Sequence, residues 1–238
     1  MTLSILIPVK NEEEIILNTL SKLDNSWLFK IEHEIIIIND HSTDQTKKLI
    51  ESFKSKKINI IIKDNNKKGL GSAIITGIEN SSKKYIAIYM ADMSDSLEDL
   101  NSYYKEIKKD NSLEAVFGSR FIKLSKVTNY PKFKLFINRL ANNAIKLIFL
   151  SKYNDFTNAF KIYKKSTLQK LQPLVSENFN IFLELPLKID SRKLKYKVIP
   201  ISWQGRSLGK SKFEIKEIGS KYIFTMLYCL LEKILLKK

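Results

Sequence analysis

Tyr85-Ile86-Ala87-Ile88-Tyr89-Met90-Ala91-Asp92-Met93-Ser94-Asp95 is an apolar run that stops at a carboxylate. Its short length and its Ile and Tyr content read as a buried strand that delivers Asp92 to its own carboxyl end. In open α/β sheets ligands bind at that edge. An acid there, with the oxygen-bearing Ser94 and Asp95 beside it, suits a hard divalent cation held against a diphosphate. A plain strand-to-loop turn with solvated acids carries the same letters, so the surrounding chain has to decide between them.

Working outward, the same unit recurs. Leu3 to Val9 reads as a buried parallel strand, followed by Asn11 as a helix cap, an acidic first turn of Glu12, Glu13 and Glu14, and a buried stripe of Ile16, Leu20 and Leu23. Ile35 to Ile38 is a continuous β-branched strand that ends in Asn39-Asp40-His41-Ser42 and leads into a helix through Leu49, Ile50 and Phe53. A strand at Ile58 to Ile62 precedes Gly69-Leu70-Gly71-Ser72-Ala73, which opens a helix with Leu70, Ala73, Ile74, Gly77 and Ile78 on its face. After Asp92 come a helix marked by Leu97, Leu100, Tyr104 and Ile107, and a strand from Leu113 to Phe117 that ends in Gly118-Ser119-Arg120. Alternating strands and helices predict an α/β fold with a doubly wound, mostly parallel sheet flanked by helices.

The second half is less regular. Phe136, Ile137, Leu140, Ala144, Ile145 and Ile148 share one side of a long helix, and Phe179 to Asp190 forms another that Pro186 is expected to kink or interrupt. A strand from Tyr196 to Trp203 leads into Gly205-Arg206-Ser207-Leu208-Gly209-Lys210-Ser211-Lys212, where glycines and cations suit a phosphate clamp. The expected organisation is a catalytic-type domain over residues 1–215 and a C-terminal amphipathic helix over 216–238.

Composition narrows the function. The 238 residues carry a formal net charge of +16, spread along the chain as lysine rather than gathered in a nucleic-acid recognition motif, so phosphate groups or an acidic bilayer are the expected anionic partners and nucleic acid is not. Arginine occurs only at 120, 139, 192 and 206, which restricts any two-pronged grip on phosphate to a short list. One cysteine and two histidines exclude an internal disulfide and a zinc-type cluster, leaving an oxygen-ligated metal as the option. No signal segment is read at the start, and Tyr222 to Leu236, interrupted by Glu232 and Lys233, is too short to cross a bilayer. A cytoplasmic protein lying against the inner face of a membrane is expected.

Ile7-Pro8-Val9-Lys10-Asn11-Glu12, Asn39-Asp40-His41-Ser42-Thr43-Asp44, Gly69-Leu70-Gly71-Ser72-Ala73, Ala91-Asp92 and Gly118-Ser119-Arg120 follow one another as in a family 2, GT-A fold glycosyltransferase. With Asp155-Phe156-Thr157-Asn158-Ala159-Phe160-Lys161 and the Arg206 to Lys212 segment, the chain resembles the polyprenyl-phosphate branch that includes dolichol-phosphate mannosyltransferase. The resemblance implies an inverting transfer of sugar from a GDP- or UDP-linked donor to a polyprenyl phosphate, with Mg²⁺ or Mn²⁺. It places Pro8, Asn11, Glu12, Asp40, Ala91, Asp92 and Arg206 around the nucleotide sugar, and Asp92, Ser94 and Asp95 near the metal. Asp92, Arg206, Lys212 and Arg120 are then the catalytic set, and Asp155, Lys161 and Glu184 the acceptor side.

A phosphate monoester acceptor is already mostly ionised near neutral pH, so such an enzyme needs grip more than a base. Met90 departs from the family at a position usually held by an acid, and Lys10 stands where an aromatic or threonine-like residue is common. Gly69 and Gly71 lack the Lys-Ser/Thr ending of a P-loop, so they are not expected to touch phosphate directly. The Phe136 to Ile148 helix and the terminal helix are expected to rest on lipid, with core packing, a homodimer seam or a separate membrane subunit as other uses of the same stripes. Two rival functions remain: transfer to a saccharide or protein, with Glu184 as base, and a non-catalytic sugar-nucleotide binder, motivated by Met90.

Overall fold

The computed structural model describes residues 2–206 and 215–236, with only the helix path at 215–218. Residues 207–214, which hold Lys212 and most of the expected clamp, lie outside the described residues.

The strands at 3–9, 34–39, 85–88 and 115–119 are buried along their length, and the β alternation sends neighbouring residues to opposite faces. The first half runs β1 (Leu3–Val9), α1 (Ile16–Asp24), β2 (His33–Asn39), α2 (Thr46–Ser52), β3 (Ile60–Asp64), α3 (Leu70–Asn80), β4 (Tyr85–Ile88), α4 (Leu97–Lys109) and β5 (Ala115–Ser119). Leu3, Ile5, Ile7, Ile35 and Ile37 meet Ile16, Leu20, Ile50, Leu100 and Ile107 on one side. On the other side Leu6, Ile36, Ile38, Ile86 and Ile88 meet Ala73, Ile74 and Ile78 of α3.

The rest of the chain is β6 (Lys126–Thr128), α5 (Lys132–Phe149), β7 (Lys161–Lys164), α6 (Lys165–Lys170), α7 (Ile181–Ser191), β8 (Tyr196–Pro200), β9 (Ser202–Gln204) and α8 (Ile215–Leu235). The main sheet has the order β3-β2-β1-β4-β7-β5-β8, and β6 pairs with β9 in a small second sheet. Only β7 is antiparallel to its neighbours. It was not expected, because four residues with two lysines carry little strand signal. It enters the middle of the sheet and so buries Lys161.

Three expectations change. α1 begins at Ile16 without a side-chain cap, so Asn11 is not a helix cap and the three acids precede the helix. The reason is competition: the side chain of Asn11 is engaged by Thr43, and the Glu12 carbonyl accepts from the N–H groups of Ile15 and Ile16. The strand expected from Tyr196 to Trp203 divides at Ile201 between the two sheets. Pro186 sits inside an unbroken α7, whose residues from Ile181 to Ile189 are all buried; packing outweighs the one intrahelical bond that proline removes.

α5 and α8 show apolar side chains outward. α5 buries only Asn142, Ile145 and Phe149, while Phe133, Phe136, Ile137, Leu140 and Ile148 are exposed. α8 docks on α7 through buried Cys229 and Thr225, the Arg192–Glu232 pair at 2.6 Å and the Lys233–Asp190 pair at 3.6 Å. Its far side exposes Ile223, Phe224, Leu227, Leu231 and Ile234. The Lys233 ammonium also donates to the Phe149 carbonyl, so the two helices meet at their carboxyl ends. Among the described residues no helix is long and apolar enough to cross a membrane.

Candidate active site

The site lies where β1, β2 and β4 end together. The ladder runs one rung past the strands, with Asp40 N–H donating to the Val9 carbonyl at 2.8 Å and Asn65 N–H to the Asn39 carbonyl at 2.9 Å. Each loop then turns through a left-handed residue, Asn11 at φ 49°, His41 at φ 56° and Met93 at φ 59°. Such backbone persists where neighbours over-determine it. Here they do: Thr43 N–H donates to Asn11 Oδ1 at 2.8 Å, Glu12 N–H to Thr46 Oγ1 at 2.7 Å, and Gln45 N–H to Glu13 Oε2 at 2.8 Å. Residues 42–46 therefore hold the β1 loop through the Ser42, Asp44 and Thr46 side chains and the Thr43 and Gln45 N–H groups, a role visible in the sequence only as a cluster of short polar residues.

Arg206 joins two of these loops. Its guanidinium grips Glu12 with Nη1 to Oε2 at 3.1 Å and Nη2 to Oε1 at 2.9 Å, while Nε lies 3.5 Å from Asp92 Oδ2. Burial disfavours the charged form, yet the Glu12 and Asp92 carboxylates outweigh it and raise the Arg206 pKa. Its placement is set by β9: Gln204 N–H donates to the Ser94 carbonyl at 3.0 Å, and Gly205 N–H to the Thr128 carbonyl at 2.8 Å. A Cβ on Gly205 would stand 2.0 Å from the Asn129 carbonyl oxygen, so this close approach needs glycine.

Asp40 is buried beside this pair of loops. Its Oδ1 accepts from Asn65 Nδ2 at 2.8 Å and from Gly69 N–H at 3.0 Å, and its Oδ2 is 3.6 Å from Lys10 Nζ. Pro8 is buried within β1, and Ala91 is buried with its carbonyl accepting from Thr19 Oγ1 at 2.6 Å. Neither Asn65 nor Lys10 was singled out as a partner of Asp40; an asparagine just past a strand end reads as ordinary loop. The glycines at the start of α3 serve packing. Gly71 and Ser72 both donate to the Glu177 carbonyl, and a Cβ on Gly69 or Gly71 would stand 2.2 or 2.1 Å from the carbonyl oxygens of Glu177 or Ser176. That helix end is therefore already capped by protein.

For a divalent cation, Asp92 is the fitting ligand. Ser94 N–H holds its Oδ1 at 3.1 Å, leaving Oδ2 facing Arg206 Nε at 3.5 Å, and a hard ion can take its remaining oxygens from diphosphate and water. Asp95 does not help: it is shut inside the protein, its Oδ2 has no hydrogen-bond partner, and burial together with the charge of Asp92 pushes its pKa up to about 8. Ser94 is buried too, and among the described residues no group of three or more His, Cys, Asp or Glu side chains could hold a metal.

Asp155 and Lys161 of the expected acceptor side are brought together with Arg120 of the expected catalytic set, but in the interior. Arg120 forms a two-pronged pair with Asp155, Nε to Oδ2 at 2.9 Å and Nη2 to Oδ1 at 2.6 Å, and its own N–H adds a third bond at 2.8 Å. Burial opposes the charge, yet Asp155 holds the Arg120 pKa above its ordinary value. Lys161 is fully buried and donates to the carbonyls of Phe156 and Asn158; burial lowers its pKa to about 7, against the pull of Asp155. Glu184 is buried as well. It accepts from the N–H groups of Val175 and Ser176 and pairs with Lys188 at 2.9 Å, so it is a structural anchor and not an accessible base.

A family model, Glycosyl transferase family 2, matches residues 4–172. Dolichol-phosphate mannosyltransferase of Pyrococcus furiosus is 28% identical over 222 residues, 92% of this chain and 61% of that protein. The chain thus spans less than two thirds of that relative. Polyprenol monophosphomannose synthase of Mycolicibacterium smegmatis is 22% identical over 216 residues, 87% of this chain and 79% of the other. Among solved structures, glucosyl-3-phosphoglycerate synthase of Mycobacterium tuberculosis, crystallised with Mn²⁺, UDP and phosphoglyceric acid, superposes with a TM-score of 0.70 at 14% identity, covering 96% of this chain and 78% of that one. The same enzyme has also been crystallised with Mg²⁺ and UDP.

Proposed function

The chain belongs to glycosyl transferase family 2, and from that premise we propose that it transfers a sugar, with inversion, from a nucleoside-diphosphate sugar to a polyprenyl phosphate. The observation that carries the reading is the convergence of Glu12, Asp92 and Arg206 at the strand ends where Asp40 also lies. Asp40 and Glu12 suit the donor nucleoside, because carboxylates at a strand end accept its N–H and O–H groups and leave a wrong partner's groups unpaired. Asp92 is the residue that would hold Mg²⁺ or Mn²⁺, and the bound ion would neutralise charge on the diphosphate.

Among the described residues Arg206 is the cation that meets both Glu12 and Asp92. By exchanging Glu12 and Asp92 for phosphate oxygens it would stabilise the negative charge that grows on the leaving diphosphate. Arg120 and Lys161, held inside, fit a supporting role for the Asp155 segment rather than a direct grip on the acceptor. The two mannosyl relatives named for lipid carriers support the acceptor class. The outward apolar faces of α5 and α8, with Lys132, Lys134, Arg139 and Lys146 on α5, support a chain that rests on the inner, anionic surface of a membrane.

The test is a thermal-shift panel of GDP, UDP and their sugars with and without Mg²⁺ or Mn²⁺, followed by turnover with polyprenyl phosphate. A ligand at 100 times its dissociation constant stabilises the native state by about 2.7 kcal/mol. A metal-dependent shift with sugar transfer to the lipid phosphate is expected. Transfer only to a free saccharide would overturn the acceptor, and binding without turnover would favour a non-catalytic binder, the alternative that Met90 and the sequestered Asp95 keep in view.

A further inference from the structure

We infer that Asn65 is a positioning residue for the donor nucleoside, acting through Asp40. The inference rests on the reading that Asp40 meets the nucleoside, and it adds a residue that neither the motifs nor the charge pattern marks. A carboxylate can present either oxygen to a ligand and can turn about its last side-chain bond. Asp40 cannot do so freely. Its Oδ1 is taken by Asn65 Nδ2 at 2.8 Å and Gly69 N–H at 3.0 Å, which leaves Oδ2, 3.6 Å from Lys10 Nζ, as the oxygen available to a partner.

The amide of Asn65 is itself fixed. Its Nδ2 faces two acceptors, Asp40 Oδ1 and the Gly69 carbonyl at 3.2 Å, and its Oδ1 accepts from Thr76 Oγ1 at 3.2 Å. Turning the amide over would set oxygen against oxygen on one side and remove the acceptor from Thr76 on the other. Main chain completes the restraint, because Asn65 N–H bonds the carbonyl of Asn39, the residue before Asp40. Asn65 and Asp40 are both buried, so water does not substitute easily for a lost bond. The second donor, Gly69, depends on the same asparagine: its carbonyl is bonded by Asn65, and its φ of 126° is one that other residues rarely adopt.

The experiment is a double-mutant cycle with Asn65→Ala and Asp40→Ala, read by calorimetric titration of UDP and GDP, with Mg²⁺–pyrophosphate as a ligand that lacks a nucleoside. Whichever nucleotide binds the unaltered protein, Asn65→Ala is expected to weaken it about tenfold, leave pyrophosphate unchanged, and add nothing once Asp40 is alanine. In steady state it should raise KM for the donor with kcat retained. Asn65→Asp keeps the acceptor for Thr76 but sets a carboxylate against Asp40, and should bind nucleotide more weakly still. Thr76→Val reads the same path should Asn65→Ala fail to fold, with a smaller loss that also vanishes in the Asp40→Ala background. A loss that persists without Asp40, or falls equally on pyrophosphate, overturns the inference and leaves the nucleotide-sugar reading standing. Unchanged nucleotide affinity in Asp40→Ala overturns the nucleoside role of Asp40 and this inference with it.

Discussion

Arg206 holds two carboxylates that belong to different loops, and the planar fork explains why lysine is a poor substitute: an ammonium cannot bond both Glu12 oxygens while facing Asp92. Arg206→Ala is expected to lower turnover about 100-fold, the scale of losing one donor to a developing oxyanion. Arg206→Lys should recover only a small part, measured by sugar transfer at saturating donor. Asp95 offers a different test. Its carboxyl has a folded pKa of about 8, raised first by burial and then by Asp92, against an ordinary value of 3.8. The folded state therefore binds a proton that the unfolded chain releases, and the stability it contributes is fully present below about pH 4 and lost as pH rises through about 8. Asp95→Asn, neutral at every pH, should be more stable than the unaltered protein, with an advantage that grows to a few kcal/mol between pH 5 and 8. Urea unfolding without divalent ions measures it; a constant difference across that range would count against a buried, protonated acid.

At the scale of elements, the parallel half was legible because long β-branched runs such as Ile35 to Ile38 have one comfortable environment, a strand covered on both faces. The loops at their ends were legible as acids, so Asp40, Asp92 and Glu12 were singled out from the sequence. What could not be read was company. Nothing in Gly118-Ser119-Arg120 discloses that Asp155, 35 residues on, takes up the guanidinium, nor that β7 carries Lys161 into the sheet. Glu184 was placed on the acceptor side by motif and is instead a brace for the Val175–Ser176 backbone, paired with a lysine that is itself fully buried. Glu184→Gln is expected to destabilise the protein by about 3 kcal/mol by leaving Lys188 poorly matched, while the folded fraction keeps its specific activity. A general base would give the reverse, an intact fold and no turnover. α5 was read as an apolar stripe, and the structure turns most of that stripe outward. The double change Phe136→Glu and Leu140→Glu should weaken sedimentation with anionic vesicles several-fold and leave the thermal midpoint within a degree or two, since neither side chain is in the core.

For the whole molecule, a formal charge of +16 on 238 residues acts over distance, whereas the apolar faces of α5 and α8 act on contact. Vesicle binding should therefore weaken several-fold between 0.05 and 0.5 M salt and retain a salt-resistant remainder, as the Debye length shrinks from about 14 to about 4 Å. Loss of all binding at high salt would assign the affinity to lysines alone. The cleft works by another logic, set by the clasp of Arg206 on Glu12 and Asp92. Before any guest arrives, the one guanidinium already faces two carboxylates, so on the proposed function entry of a sugar nucleotide would be an ion exchange in which one anion relieves another. Such an exchanger would gain little affinity from the swap, yet it would turn away neutral or weakly charged sugars that offer nothing in return, and it would regain its starting state as soon as the spent diphosphate leaves.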